Sequence, residues 1–189
     1  MLSEGMTKLM NSLSCCTFNG AQYTHVLIKE TDPQAVLKKV TLKIPNGDWF
    51  SFEPDKGRGR EARMSPLLAA SEHHHHHRAC DCVIVMNCDG KLTIVYIDLK
   101  SNNPSGYAGQ FKSTRQFVRY ALGLLKEFHC AELGICEERY VVLYSGKPML
   151  LNKTTTVPKL GKIRNTKPDD AYKRRVNNSD ELNLNELLR

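Results

Sequence analysis

A chain of 189 residues holds one domain with a single sizeable core, and leaves no room for a second full catalytic domain. Its 27 Lys and Arg against 20 Asp and Glu leave a formal charge of +7, which favours polyanions such as nucleic acid or anionic lipid and says nothing about fold. No stretch approaches the ~18 apolar residues of a membrane span, and the opening MLSEGMTKLMNSLSCC lacks a basic segment followed by a sustained apolar run, so a soluble, cytoplasmic protein without a membrane partner is expected.

Residues 7–13 read as a short helix followed by a loop. Residues 22–29 and 37–44 carry the β-branched and aromatic enrichment of strands, and Pro45-Asn46-Gly47-Asp48 is a turn leading into Trp49-Phe50-Ser51-Phe52. These predict a hairpin ahead of a main sheet. Residues 56–64 are basic and broken by Gly57 and Gly59, and residues 64–72 predict a helix begun around Ser65-Pro66. Five consecutive histidines at 73–77 follow, read as a solvated loop.

Two nearly continuous apolar runs come next, at 82–86 and 92–97, as expected of strands buried on both faces. Between them lies Asp89-Gly90, one of the strongest short hairpin signals, because a type I′ turn needs positive φ at both central positions. After the loop Ser101-Asn102-Asn103-Pro104-Ser105-Gly106, residues 107–128 run without proline, with Phe117, Ala121, Leu124, Leu125 and Phe128 on one helical face. Residues 139–144 read as a further strand. The polar remainder carries Lys-Arg clusters at 162–167 and 173–175 and a last helix at 179–188. The predicted fold class is α/β, a central mixed β-sheet flanked by helices, in one domain with a basic polar C-terminal extension from residue 150.

A hairpin loop of only Asp89 and Gly90 sets Cys88 against Lys91, and the same register sets Asp81 against Asp98, with Cβ atoms roughly 4.5–5.5 Å apart. Lys100 projects from the same face. Like charges directly opposed in a sheet are destabilising, and a hard cation is a reason to keep them: magnesium is bound by one or two carboxylates together with water and phosphate. A neighbouring Lys can orient or deprotonate the attacking water, giving metal-assisted phosphodiester hydrolysis.

An Asp at a strand start, a hairpin, and then Asp-x-Lys on the second strand, here Asp81 and Asp98-Leu99-Lys100, resembles the PD-(D/E)XK nuclease superfamily of restriction enzymes, repair exonucleases and phage-defence nucleases. The resemblance implies a restriction-endonuclease-like fold and cleavage of nucleic acid, DNA by preference. It also implies Mg2+ or Mn2+ held by Asp81, Asp98 and the main-chain carbonyl of Leu99, with Lys100 assisting the nucleophile. The RecB-like branch adds Gln-x-x-x-Tyr on the following helix, and Gln116-Phe117-Val118-Arg119-Tyr120 is similar to it, placing Gln116 and Tyr120 on one helical face. An upstream acidic ligand falls to Glu61 or Glu72, and an upstream histidine to the 73–77 run. Cys80 stands where the family pattern has proline. Such compact nucleases often work with a regulatory protein partner or as homodimers.

Lys112, Arg115, Arg119 and Lys126 form a basic stripe along the predicted helix that could track phosphates or be an ordinary solvated face. Seven cysteines contain no Cys-x-x-Cys pair, which favours free thiols over disulfides or structural zinc. A second class fits the same composition: a non-catalytic basic nucleic-acid-binding or adaptor module whose Asp and Lys are structural.

Overall fold

A computed structural model of the chain describes residues 1–58, 63–71, 73–146 and 166–188. In chain order the elements are α1 (Glu4–Asn11), β1 (Cys16–Asn19), β2 (His25–Lys29), β3 (Lys39–Lys43), β4 (Trp49–Phe52), α2 (Pro54–Gly57), β5 (Cys82–Cys88), β6 (Lys91–Lys100), α3 (Tyr107–His129), β7 (Gly134–Tyr144), β8 (Tyr172–Arg175), β9 (Glu181–Asn183) and α4 (Leu184–Leu187). The fold is mixed α/β. A six-stranded sheet in the order β1-β4-β5-β6-β7-β8 is backed by a three-stranded sheet, β2-β3-β9. From β1 to β6 the neighbours are antiparallel, and β6, β7 and β8 are parallel, with α3 as the crossover from β6 to β7.

The β5–β6 hairpin sits at the middle of the large sheet, with Cys88 paired to Lys91. Asp89 (φ 53°) and Gly90 (φ 79°) both adopt the left-handed conformation that a two-residue turn demands. Side chains alternate on these strands and divide the core in two. Val83, Val85, Ile94, Tyr96, Tyr140 and Val142 pack under α1 and α3. Cys82, Ile84, Val95, Ile97, Leu99, Val141 and Leu143 pack on the small sheet and α4. Each side chain of this size contributes roughly 1.5–3 kcal/mol when fully buried.

Helix α3 matches its predicted span to within a residue, but its buried stripe is rotated from the expected one. Tyr107, Phe111, Thr114, Val118, Ala121 and Leu125 are buried at alternating four- and three-residue steps, while Phe128 is 74% exposed. Phe117 of the expected face is half-buried against Phe52, whereas the stripe turns toward Tyr107 and Phe111, nearer the helix start, with Phe111 packing on Tyr140.

Other expectations need correction. Residues 16–19, read as loop, form edge strand β1 on β4; the expected hairpin does form, as β2–β3, and lies in the second sheet. No helix forms at 63–71; Leu67 is 92% and Leu68 48% exposed, so the segment buries no apolar face that would stabilise one. The expected helix at 179–188 is a short strand, β9, parallel to β3, followed by the single turn of α4. Glu61, Glu72 and most of the 162–167 basic cluster lie outside the described residues. All seven cysteines are free thiols, and no helix among the described residues is long and apolar enough to cross a membrane.

Candidate active site

The site lies where β5 begins and β6 ends. Asp98 is on β6, facing α3, and is fully buried. Asp81 immediately precedes β5, in line with the register that pairs Cys82 with Ile97. Its Oδ2 accepts a 2.5 Å hydrogen bond from the Leu99 main-chain N–H, which fixes this carboxylate against β6. The end of the hairpin therefore presents two carboxylates, one held by the backbone of the strand that carries the other.

Asp98 is under-satisfied. Lys100 Nζ stands 2.7 Å from its Oδ2 as an ion pair, and Oδ1 has no hydrogen-bond partner among the described residues. Burial pushes Asp98 up to about 6 despite the Lys100 ammonium pulling the other way. Asp81 is raised well above the usual carboxylate range by burial and by the neighbouring Asp98 charge, with the Leu99 N–H opposing. A buried carboxylate with unused lone pairs costs several kcal/mol, so proteins rarely keep one without a ligand for it.

Lys100 is held from two sides. Besides Asp98, its Nζ donates to Gln110 Oε1 at 2.8 Å, and Gln110 Nε2 donates to the Ala79 carbonyl at 3.1 Å. An ammonium has three N–H donors, so one remains for a ligand, and the side chain is 23% exposed and reachable. Thr114, four residues after Gln110, accepts from the Cys80 N–H at 3.1 Å and so ties α3 to the residue preceding Asp81. Gln110 and Thr114 are thus the helical pair that meets the site.

Gln116 and Tyr120 are not brought there. Gln116 is exposed and Tyr120 is 63% exposed, on the outward side of α3. Six residues at 100° each place Gln116 about 120° around the helix from Gln110, so only one of the two can face the strands. The signal in the sequence was the stripe starting at Tyr107, to which Gln110 is adjacent. Glu30, just past the end of β2, was also missed; its carboxylate is near enough to raise both Asp81 and Asp98. The 30–38 loop is anchored beside the site because the Ser101 hydroxyl, one residue after Lys100, accepts from the Val36 N–H at 2.8 Å.

The basic stripe on α3 is largely neutralised. Lys112 pairs with Asp169 at 2.7 Å, Arg119 with Glu138 at 3.2 Å and Lys126 with Glu132 at 2.8 Å, while Arg115 lies beside the Tyr140 hydroxyl. The histidine run is a loop, as expected, but one fastened to the protein: Ser113 Oγ donates to the His76 carbonyl at 2.5 Å, and His76 Nε2 stands 2.8 Å from the Ala69 carbonyl. His75 packs so closely on Gly109 that a Cβ there would come within 2.7 Å of it.

Asp81, Asp98 and the Leu99 carbonyl are all hard oxygen donors, which suit Mg2+ or Mn2+ and not a soft metal. The orphaned Oδ1 of Asp98 is the observation that fits such an ion. Among the described residues no three Asp, Glu, His or Cys side chains converge tightly enough to hold a metal by themselves, so water, main chain or substrate would complete the coordination. Comparison with protein-family models, curated proteins and solved structures gives no match in any of the three.

Proposed function

We propose that this protein is a metal-dependent nuclease of restriction-endonuclease-like architecture that hydrolyses phosphodiester bonds in nucleic acid, with DNA the preferred substrate. The observation that carries the proposal is Asp98, a fully buried carboxylate whose Oδ1 has no hydrogen-bond partner among the described residues, set between Asp81 and Lys100.

Asp81, Asp98 and the Leu99 carbonyl would hold Mg2+ or Mn2+, which supplies Lewis-acid polarisation of the phosphate and a more acidic water when bound. Asp81 is prepared for the task by its hydrogen bond from Leu99, which costs the carboxylate no reorganisation. Lys100 is aimed by Asp98 and Gln110 together, leaving its third N–H to hold the attacking water in line with phosphorus or to meet the charge that develops on the phosphoryl oxygens. Burial under α3 keeps bulk water from Asp98 and strengthens every charge interaction there.

A second reading has its own support. The Asp98–Lys100–Gln110 chain would also serve as a buried structural ion pair in a basic nucleic-acid-binding or adaptor module. The decisive experiment incubates wild type, Asp98→Ala and Lys100→Ala with linear DNA, circular DNA and RNA in magnesium, manganese or EDTA. Metal-dependent cleavage by wild type that both variants lose is the expected result. Folded wild type that binds nucleic acid and cuts none of the three substrates would favour the adaptor.

A further inference from the structure

The strand register carries two cations from a distant part of the sequence onto the active face. In β6, β7 and β8 the aligned residues are Asp98, Val142 and Lys173 in one row and Lys100, Tyr144 and Arg175 in the next. Residues paired across neighbouring strands share a face, so Lys173 and Arg175 stand on the α3 side, in the same rows as the proposed catalytic pair. Packing agrees: Lys173 Nζ lies 5.2 Å from the centre of the Tyr107 ring on α3, while Tyr172 and Val176 pack on the opposite core. Two strand spacings put this row about 10 Å from Asp98 and Lys100, within reach of the same polynucleotide strand.

Charge accounting separates this row from the α3 stripe. Three of the four stripe cations are consumed by Asp169, Glu138 and Glu132. Among the described residues Lys173 and Arg175 have no acidic partner, and Arg175 is exposed on the last strand of the sheet. Unpaired cations at a sheet edge beside a site for phosphate chemistry are the arrangement that attracts a polyanionic backbone.

We infer that Lys173 and Arg175 on edge strand β8 form the phosphate-backbone contact that seats nucleic acid across the ends of β6, β7 and β8, and that the α3 stripe does not. This rests on the nuclease reading and specifies how its substrate lies. The contact would position the strand without reading its sequence.

The test is fluorescence anisotropy of labelled duplex and single-stranded DNA in EDTA over a series of salt concentrations, alongside cleavage in magnesium. Lys173→Gln/Arg175→Gln should weaken binding at least tenfold at low salt and lower the slope of log K against log salt by nearly two, about 0.9 per lost phosphate contact. Lys112→Gln/Arg119→Gln should change affinity less than threefold. Cleavage at saturating substrate should persist in the β8 double variant, with a raised KM. Because Lys173 also covers Tyr107, Lys173→Arg/Arg175→Lys is included: it keeps the charge and should restore binding, and Arg175→Gln alone alters only an exposed position. Wild type that cuts DNA while the folded β8 variants bind with unchanged affinity and slope overturns the inference and leaves the nuclease standing. Wild type that neither binds nor cuts DNA overturns both.

Discussion

The two faces of β6 near its end show how one strand can be structural on one side and chemical on the other. Ile97 and Leu99 point into the apolar core under the small sheet. Asp98 and Lys100, interleaved with them, point toward α3, where the apolar core gives way to two carboxylates, an ammonium and an amide. Burial is equally complete for Ile97 and Asp98. The difference is that burial of Ile97 is favourable by itself, whereas burial of Asp98 is costly and the one Lys100 ammonium beside it offsets that cost only in part. A residue retained against that cost points to function, and its apolar neighbour to stability.

Substitutions on the two faces should separate these roles. Asp98→Ala is expected to reduce magnesium-dependent cleavage by about a thousandfold or more while leaving thermal stability equal to wild type or higher, read by a gel assay and by thermal unfolding. Ile97→Ala, one residue away, should do the reverse: a loss of roughly 2–5 kcal/mol in denaturant unfolding from the cavity it opens, with the specific activity of the folded fraction nearly retained. Matching losses of stability in both would erase the distinction.

The cost of Asp98 should also be visible against pH. Its folded-state value of about 6 lies above the ordinary 3.8, so its contribution to stability is fully present below pH ~4 and is lost as pH rises through about 6. A shift of this size is worth on the order of 3 kcal/mol. Relative to Asp98→Asn, which cannot ionise, metal-free wild type should therefore lose stability between pH 4 and 7, and magnesium at pH 7 should raise the unfolding temperature of wild type only. Parallel pH profiles for the two proteins would remove the argument for a cation. Cleavage at fixed magnesium should correspondingly fall below about pH 6, where Asp98 takes up its proton.

The smallest effect expected compares the two glutamines of α3. Gln110→Ala should lower kcat several-fold to tenfold by freeing Lys100 from one of its two anchors. Gln116→Ala and Tyr120→Ala, on the outward face, should leave kcat within about twofold. The opposite ranking would return Gln116 and Tyr120 to the site.

What could be read from the chain by itself was whatever is decided between residues close in sequence. Asp89-Gly90 permits one tight turn, and the two-residue period of the strands then carries the register from Cys88 and Lys91 to the ends of the hairpin, so the meeting of Asp81 with Asp98 needed no tertiary information. The existence of α3 was equally local. Its rotation was not, because a helix can turn any face to a sheet, and the choice fell to how Tyr107 and Phe111 fill the space beside Tyr140. That choice selected Gln110 over Gln116. Nor did sequence place Glu30 near the carboxylates, or align Lys173 and Arg175 with Asp98 and Lys100. Those positions depend on strand pairings between segments far apart in the chain, and long-range pairing is set by the packing of whole layers, which no short pattern of residues encodes.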